Sequence, residues 1–90
     1  MGQKGFWKRL SEDINELSSL PLVELAGTGR LLIENHKGIA DYSPEKICIK
    51  MGYGFLEISG NGLELAQITK DQLVVTGDIT GLLLLRDGAV

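Results

Sequence analysis

Pairs of apolar residues two positions apart recur from Arg30 to Leu84, and this alternation constrains the fold more than any other feature of the chain. Residues i and i+2 lie on one face of a strand, so each pair marks a short strand with one buried face. Glycine, asparagine or proline residues separate the pairs, as expected for turns. The pattern predicts a mainly β domain. The pairs are Leu31/Ile33, Ile47/Ile49, Leu56/Ile58, Leu63/Leu65, Leu73/Val75 and Leu82/Leu84.

Residues 1–20 differ from the rest and predict an N-terminal amphipathic helical arm. Trp7, Leu10, Ile14 and Leu17 lie on one side of a helix, and Phe6 extends that side. A helix this short is marginal alone in water, so its apolar stripe must pack against something. Three surfaces are candidates: the open face of the chain's own sheet, a partner protein, or a bilayer surface reached through Phe6, Trp7 and Leu10.

Residues 21–90 are predicted to form an all-β module of about seven short strands. An antiparallel meander or sandwich is the favoured arrangement. A short β-solenoid is the alternative, because Leu56–Gly60 is echoed by Leu73–Gly77 seventeen residues later. A duplicated hairpin within a meander explains the same echo.

The last predicted strand, Leu82–Leu85, is apolar on both faces. Such a strand is expected to be central in its sheet or covered on both sides. If it lay at an edge it would favour pairing with another chain, so a homo-oligomer through this strand is possible. Leu83 and Leu85 are therefore candidate contact residues.

Composition excludes several function classes. The net charge is −3 and basic residues are not clustered, which argues against nucleic-acid binding. Cys48 is the one cysteine, so no internal disulfide can form, and a reducing cytoplasm is the expected location. The sequence contains no metal-ligand spacing and no nucleotide-binding motif, so no metal or cofactor is predicted.

The turn at Asn35, His36 and Lys37 contains the single histidine. An imidazole beside Glu34 can act as a base, but no nucleophile accompanies it. A structural or partner-contact role for these turn residues is the better interpretation, and no catalytic residue is predicted. Gly52-Tyr53-Gly54 is interpreted as a hairpin turn. The chain is therefore not expected to be an enzyme.

Several segments in order resemble the YabP/YqfC family of bacterial sporulation proteins, over roughly residues 22–85. Size and the Phe/Trp-containing N-terminal segment resemble the YqfC branch. The apolar run at Leu82–Leu85 departs from the family by being more apolar than a typical last strand. The matching segments are Ile33–Ile39, Asp41-Tyr42-Ser43, Ile47-x-Ile49, Gly54–Gly60, Leu63–Leu65 and Leu73–Ile79.

The resemblance implies a small non-enzymatic protein of endospore formation, acting in the mother cell at or near the forespore membrane. Family members tend to be encoded beside membrane proteins of the same programme, which implies a membrane-protein partner. The leading hypothesis is thus an assembly or adaptor module. The alternative is a peripheral membrane-binding scaffold anchored by the N-terminal helix.

Overall fold

The computed structural model describes residues 20–87, which form one six-stranded sheet. Neighbouring strands are antiparallel throughout, in the order β1-β2-β6-β5-β4-β3. The mainly β, antiparallel prediction is confirmed. The solenoid alternative, which stacks parallel strands, is wrong. The strands are β1 (Leu22–Ala26), β2 (Arg30–Glu34), β3 (Gly38–Tyr42), β4 (Lys46–Met51), β5 (Gly54–Ile68) and β6 (Gln72–Arg86).

Two of the strands are much longer than predicted. β5 and β6 each contain 15 residues, and each joins two segments that the sequence pattern separates. The sequence pattern predicts that strands end at Gly60 and Gly77, because glycine often marks a turn. In the structure both glycines lie inside continuing strands. The prediction of about seven short strands is therefore corrected to six, of which two are long.

β5 and β6 each contribute to two layers. The first layer contains β1, β2, the first half of β6 and the second half of β5. The second layer contains β3, β4, the first half of β5 and the second half of β6. Buried residues of both layers belong to a single cluster, so the sheet is folded on itself around one core. The most buried of them are Leu31, Ile33, Ile47, Ile49, Leu56, Ile58, Leu63, Leu73 and Val75.

β5 and β6 bend where they pass from one layer to the other, and this bend depends on close contact between the two strands. Gly77 has a φ of +128°, and a Cβ there would lie 2.6 Å from the carbonyl oxygen of Gly62. A Cβ at Gly60 would collide with the carbonyl oxygen of Asp78. Pairing of the two strands also shifts register on either side of this point. Only residues without a side chain allow the two backbones to approach this closely.

The two layers are approximate copies of each other. Leu56–Gly60 pairs with β4, and its echo Leu73–Gly77 pairs with β2. Each segment ends at a glycine of the bend, Gly60 or Gly77, and the chain then passes into the other layer. β3 and β4 in the second layer correspond to β1 and β2 in the first. The echo therefore reflects a duplicated arrangement of hairpins, one of the explanations that the sequence left open.

The helical arm predicted over residues 1–20 falls outside the described part of the chain except for Leu20. Its helix therefore stays a prediction. Within residues 20–87, no helix is long and apolar enough to span a membrane.

We predict that Gly77→Ala destabilises the fold by about 2–4 kcal/mol, from an unfavourable positive φ and a backbone collision. The matched control is Gly52→Ala, because a Cβ at Gly52 meets nothing within 4 Å. That control is expected to be neutral or slightly stabilising. Urea unfolding of both variants measures the difference. Equal stability of the two variants would show that the bend does not require glycine at 77.

Candidate partner-binding surface

The second half of β6 lies at an edge of the second layer. β2 pairs with β6 only from Gln72 to Thr76, so among residues 20–87 no strand lies beside the outer side of Leu82–Arg86. We call this five-residue segment the leucine edge. Its four leucines are 40%, 53%, 60% and 40% exposed, in chain order. The structure thus presents unpaired backbone and apolar side chains at the same place.

The leucines of this edge alternate between the two faces of the layer. Leu82 and Leu84 lie opposite buried residues of β5, so they point to the core side. The other two, Leu83 and Leu85, lie on the outer side, opposite Glu57 and Phe55. Both faces of the edge are therefore apolar and accessible.

Of the alternatives that the sequence left open for Leu82–Leu85, the structure of residues 20–87 favours the edge over the centre of the sheet. The run is at an edge, and Leu84 is the most exposed of its leucines. Local apolarity does not distinguish a central strand from an edge strand, because the difference depends on which distant strand pairs with it. The sequence identified Leu83 and Leu85 as contact candidates. It missed Leu82 and Leu84, although the absence of any charge from Gly81 to Leu85 was a signal for them.

His36 links the two layers through both nitrogens of its ring. Its Nδ1 accepts a hydrogen bond from the Gly38 backbone N–H at 2.9 Å. Its Nε2 lies 2.9 Å from the Thr69 carbonyl oxygen, to which it donates, since the accepting Nδ1 carries no proton in this arrangement. Gly38 begins β3, whereas Thr69 lies between β5 and β6. The imidazole therefore fixes the β2–β3 connection, which is a structural role.

The neighbours of His36 are held mainly by their backbone. Asn35 has a φ of 62°, and its N–H donates to the Asp71 carbonyl at 2.6 Å. The Asn35 side-chain amide donates to the Leu20 carbonyl at 2.7 Å. The Lys37 N–H donates to the Lys50 carbonyl at 2.7 Å, and the Lys37 side chain is exposed. Of the three residues, Lys37 is the one with a side chain directed to solvent.

The structure does not bring this connection and the leucine edge together. Gly38, Lys50, Phe55 and Leu85 are successive cross-strand partners along one row of the second layer. Lys37 and Leu85 thus belong to opposite edges of that layer, about three strand spacings of ~4.8 Å apart. The candidate contact residues form two separate surfaces. Phe6, Trp7 and Leu10 lie outside the described residues.

Cys48 lies in β4, on the outer face of the second layer, between Asp41 of β3 and Glu57 of β5. Burial raises the pKa of its thiol above the ordinary value of 9.0, and the carboxylates of Glu57 and Asp41 raise it further. The positive charge of Lys46 lowers the pKa of Cys48. Lys46 also forms an ion pair with Glu57 at 3.2 Å. The thiol is therefore protonated at neutral pH and a poor nucleophile. Residues 20–87 contain no group of three or more histidine, cysteine or acidic residues placed to hold a metal ion.

We predict that His36→Ala lowers the unfolding free energy by about 1–3 kcal/mol, because the imidazole's hydrogen bonds to Gly38 and Thr69 are lost. Lys37→Ala is the matched control and is expected to change stability by less than about 0.5 kcal/mol. Urea unfolding of both variants tests this. A His36→Ala variant as stable as Lys37→Ala would contradict the linking role.

We also predict a loss of stability above pH 9.0 that depends on Cys48. The unfolded chain loses the thiol proton near the ordinary pKa of 9.0, whereas the folded chain holds it to higher pH. The contribution of the thiol to the unfolding free energy is therefore fully present below pH 9.0. It is lost as the pH rises through the folded-state pKa. Unfolding curves at pH 7 to 10 should show a smaller fall for Cys48→Ser. Parallel pH profiles for both proteins would disprove the contribution of the thiol.

Comparison with known proteins places the chain in one family. The YabP family matches residues 20–89, a region that contains all six strands. No curated protein matches the chain. No solved structure matches it either. The match suggests a sporulation-related protein. Since it extends over most of the sequence, the chain belongs to the YabP family.

Proposed function

We propose that this chain is a non-enzymatic assembly or adaptor module of endospore formation. It acts in the cytoplasm of the mother cell, at or near the forespore membrane, and contacts a membrane protein of the same programme. YabP family membership over residues 20–89 supports the process. The observation that carries the assembly role is the leucine edge.

An exposed strand edge of this kind favours binding by strand addition. The incoming strand obtains affinity from main-chain hydrogen bonds and from contacts with alternate side chains. The leucine edge offers apolar side chains on both faces of the layer, with 40–60% of each side chain exposed. Burial of such surface on binding is favourable. The edge is thus suited to association with another polypeptide.

The environments of the two candidate reactive residues support a non-enzymatic role. Both ring nitrogens of His36 are used by backbone groups of the fold. The pKa of Cys48 is raised, which keeps the thiol protonated. A general base needs a free nitrogen near its substrate, and a nucleophilic cysteine needs a stabilised thiolate. Neither residue meets the requirement.

The second function predicted from the sequence is a peripheral membrane scaffold anchored by residues 1–20. It stays a prediction, because Phe6, Trp7 and Leu10 lie outside the described residues. The assembly role is preferred because the described part of the chain offers a surface for it.

We predict that deletion of the gene in the native host sharply reduces the count of heat-resistant spores relative to total cells, with normal vegetative growth. A fluorescent fusion should collect around the forespore on the mother-cell side. Full sporulation of the deletion strain, or a fusion spread evenly through vegetative cells, would contradict the proposal.

Complementation of the deletion strain separates folding from assembly. Ile68→Lys, which places a charge at an exposed strand position outside the candidate contact surfaces, is expected to restore spore formation. Leu84→Lys places a charge in the leucine edge and is expected to restore it poorly at an equal protein level. Full rescue by Leu84→Lys would show that the edge is not the functional surface.

A further inference from the structure

We propose that the leucine edge is a self-association site. Residues Leu82–Arg86 of one copy pair antiparallel with the same residues of a second copy, which joins the second layers of the two copies edge to edge. The inference goes beyond the proposed function and does not depend on it, since it concerns the purified chain alone.

The hydrogen-bonding direction of the edge follows from the pairing of β5 and β6. The Asp87 N–H donates to the Tyr53 carbonyl at 2.8 Å, so the backbone of Asp87 faces β5. The carbonyl oxygen of Leu85 also points toward β5, where it contacts Gly54. In an antiparallel pair, successive residues point their backbone groups alternately to the two sides of the strand. Leu82, Leu84 and Arg86 therefore point their N–H and C=O groups outward, away from β5.

The other three edges of the two layers are protected against pairing, whereas the leucine edge is not. β1 has the exposed Glu24 at its centre. β3 has the exposed Asp41 beside a β-bulge. The second half of β5 has the exposed Glu64 and a β-bulge. Charges and bulges of this kind prevent edge-to-edge association. From Gly81 to Arg86 the register is regular, and the first charge is at the end of the strand.

The approximate duplication supplies an internal comparison. The second half of β5 and the leucine edge occupy equivalent positions in the two layers, seventeen residues apart. The same part of the strand therefore contains both polar and apolar residues in one layer and only apolar residues in the other. The fold itself does not require leucine at these positions. A β-bulge at Ala66 shifts the pairing, so the residues with equivalent cross-strand partners are Leu65, Gln67 and Ile68 on β5 and Leu82, Leu83 and Leu84 on β6.

Geometry also determines the register of the pairing. Hydrogen bonds form only between residues that point outward in both copies, so Leu82, Leu84 and Arg86 must pair among themselves. A two-fold axis at Leu84 uses all of them: Leu84 lies opposite Leu84, and Leu82 lies opposite Arg86, with about six hydrogen bonds in total. On the outer face Leu83 lies opposite Leu85. No like charges face each other in this arrangement.

A second copy is a suitable occupant because the edge is complementary to itself. A two-fold axis places leucine opposite leucine, so each copy supplies the apolar surface that the other copy needs. The pairing covers on the order of 300–400 Å² per copy, about half of the ~800 Å² per partner of a standard interface. We therefore expect a reversible dimer with a Kd in the micromolar range.

Sedimentation equilibrium of the full chain from about 1 μM to 1 mM spans such a Kd. We expect a monomer–dimer equilibrium for the native sequence and at least a tenfold weaker dimer for Leu84→Lys. Ile68→Lys is the matched control, since it places the same charge at the equivalent position of the other layer, where Ile68 is 56% exposed. It should leave the dimer intact. Circular dichroism and urea unfolding confirm that both variants are folded.

Three outcomes would overturn the proposal. A native chain that is monomeric up to 1 mM excludes self-association in this concentration range. The edge would then be left to residues 1–19 of the same chain or to a different protein. A Leu84→Lys dimer as tight as that of the native chain places the interface elsewhere. Equal weakening by Ile68→Lys would show an effect of charge rather than of this edge.

Disulfide trapping tests the register in a Cys48→Ser background. Leu84→Cys should form a covalent dimer under mild oxidation, because the two Cα atoms are about 5.5 Å apart across the axis. Leu83→Cys is the control, since its own counterpart lies on a diagonal about 7–8 Å away. Preferential cross-linking of Leu83→Cys would contradict the axis at Leu84, and failure of both would contradict the pairing.

Discussion

The contact between β5 and β6 at their bend is the constraint on which the rest of the structure depends. At Gly60 and Gly77 each strand approaches the backbone of the other too closely for any side chain. The bend allows one sheet to form two layers and to enclose a core from both. Without it, the buried face of the sheet would remain exposed to water, since the described residues contain no helix to cover it.

The same bend determines where the edges of the layers lie. Because β5 and β6 exchange layers, each of them is internal in one layer and at the edge in the other. One crossing produces the edge in the second half of β5, with its charge and its bulge. The other crossing produces the leucine edge. The surface suited to binding another polypeptide is thus a consequence of how the core is enclosed. It has leucine throughout, whereas the corresponding positions of the duplicated layer include the polar Gln67.

The sequence predicted the core side of β2, β4 and the first halves of β5 and β6, because alternation is a local property. Ile47 and Ile49 of β4, and Leu56 and Ile58 of β5, are buried as their spacing indicates. The sequence did not predict the lengths of β5 and β6, since a glycine at a bend and a glycine in a turn have the same local pattern. It also left open whether the last leucines are central, covered or at an edge. Exposure there depends on the absence of a neighbouring strand in the described sheet, and that is a property of topology.

The strand order has a consequence for how the chain reaches this fold. β1 with β2, β3 with β4, β4 with β5 and β5 with β6 are pairs of consecutive strands, joined by short turns. The turn between β5 and β6 is closed by mutual hydrogen bonds between Thr69 and Gln72. Of the pairings in the described sheet, only β2 with β6 joins distant parts of the chain. The entropic cost of long-range loop closure is therefore concentrated in one docking event, the arrival of the β1–β2 hairpin at β6.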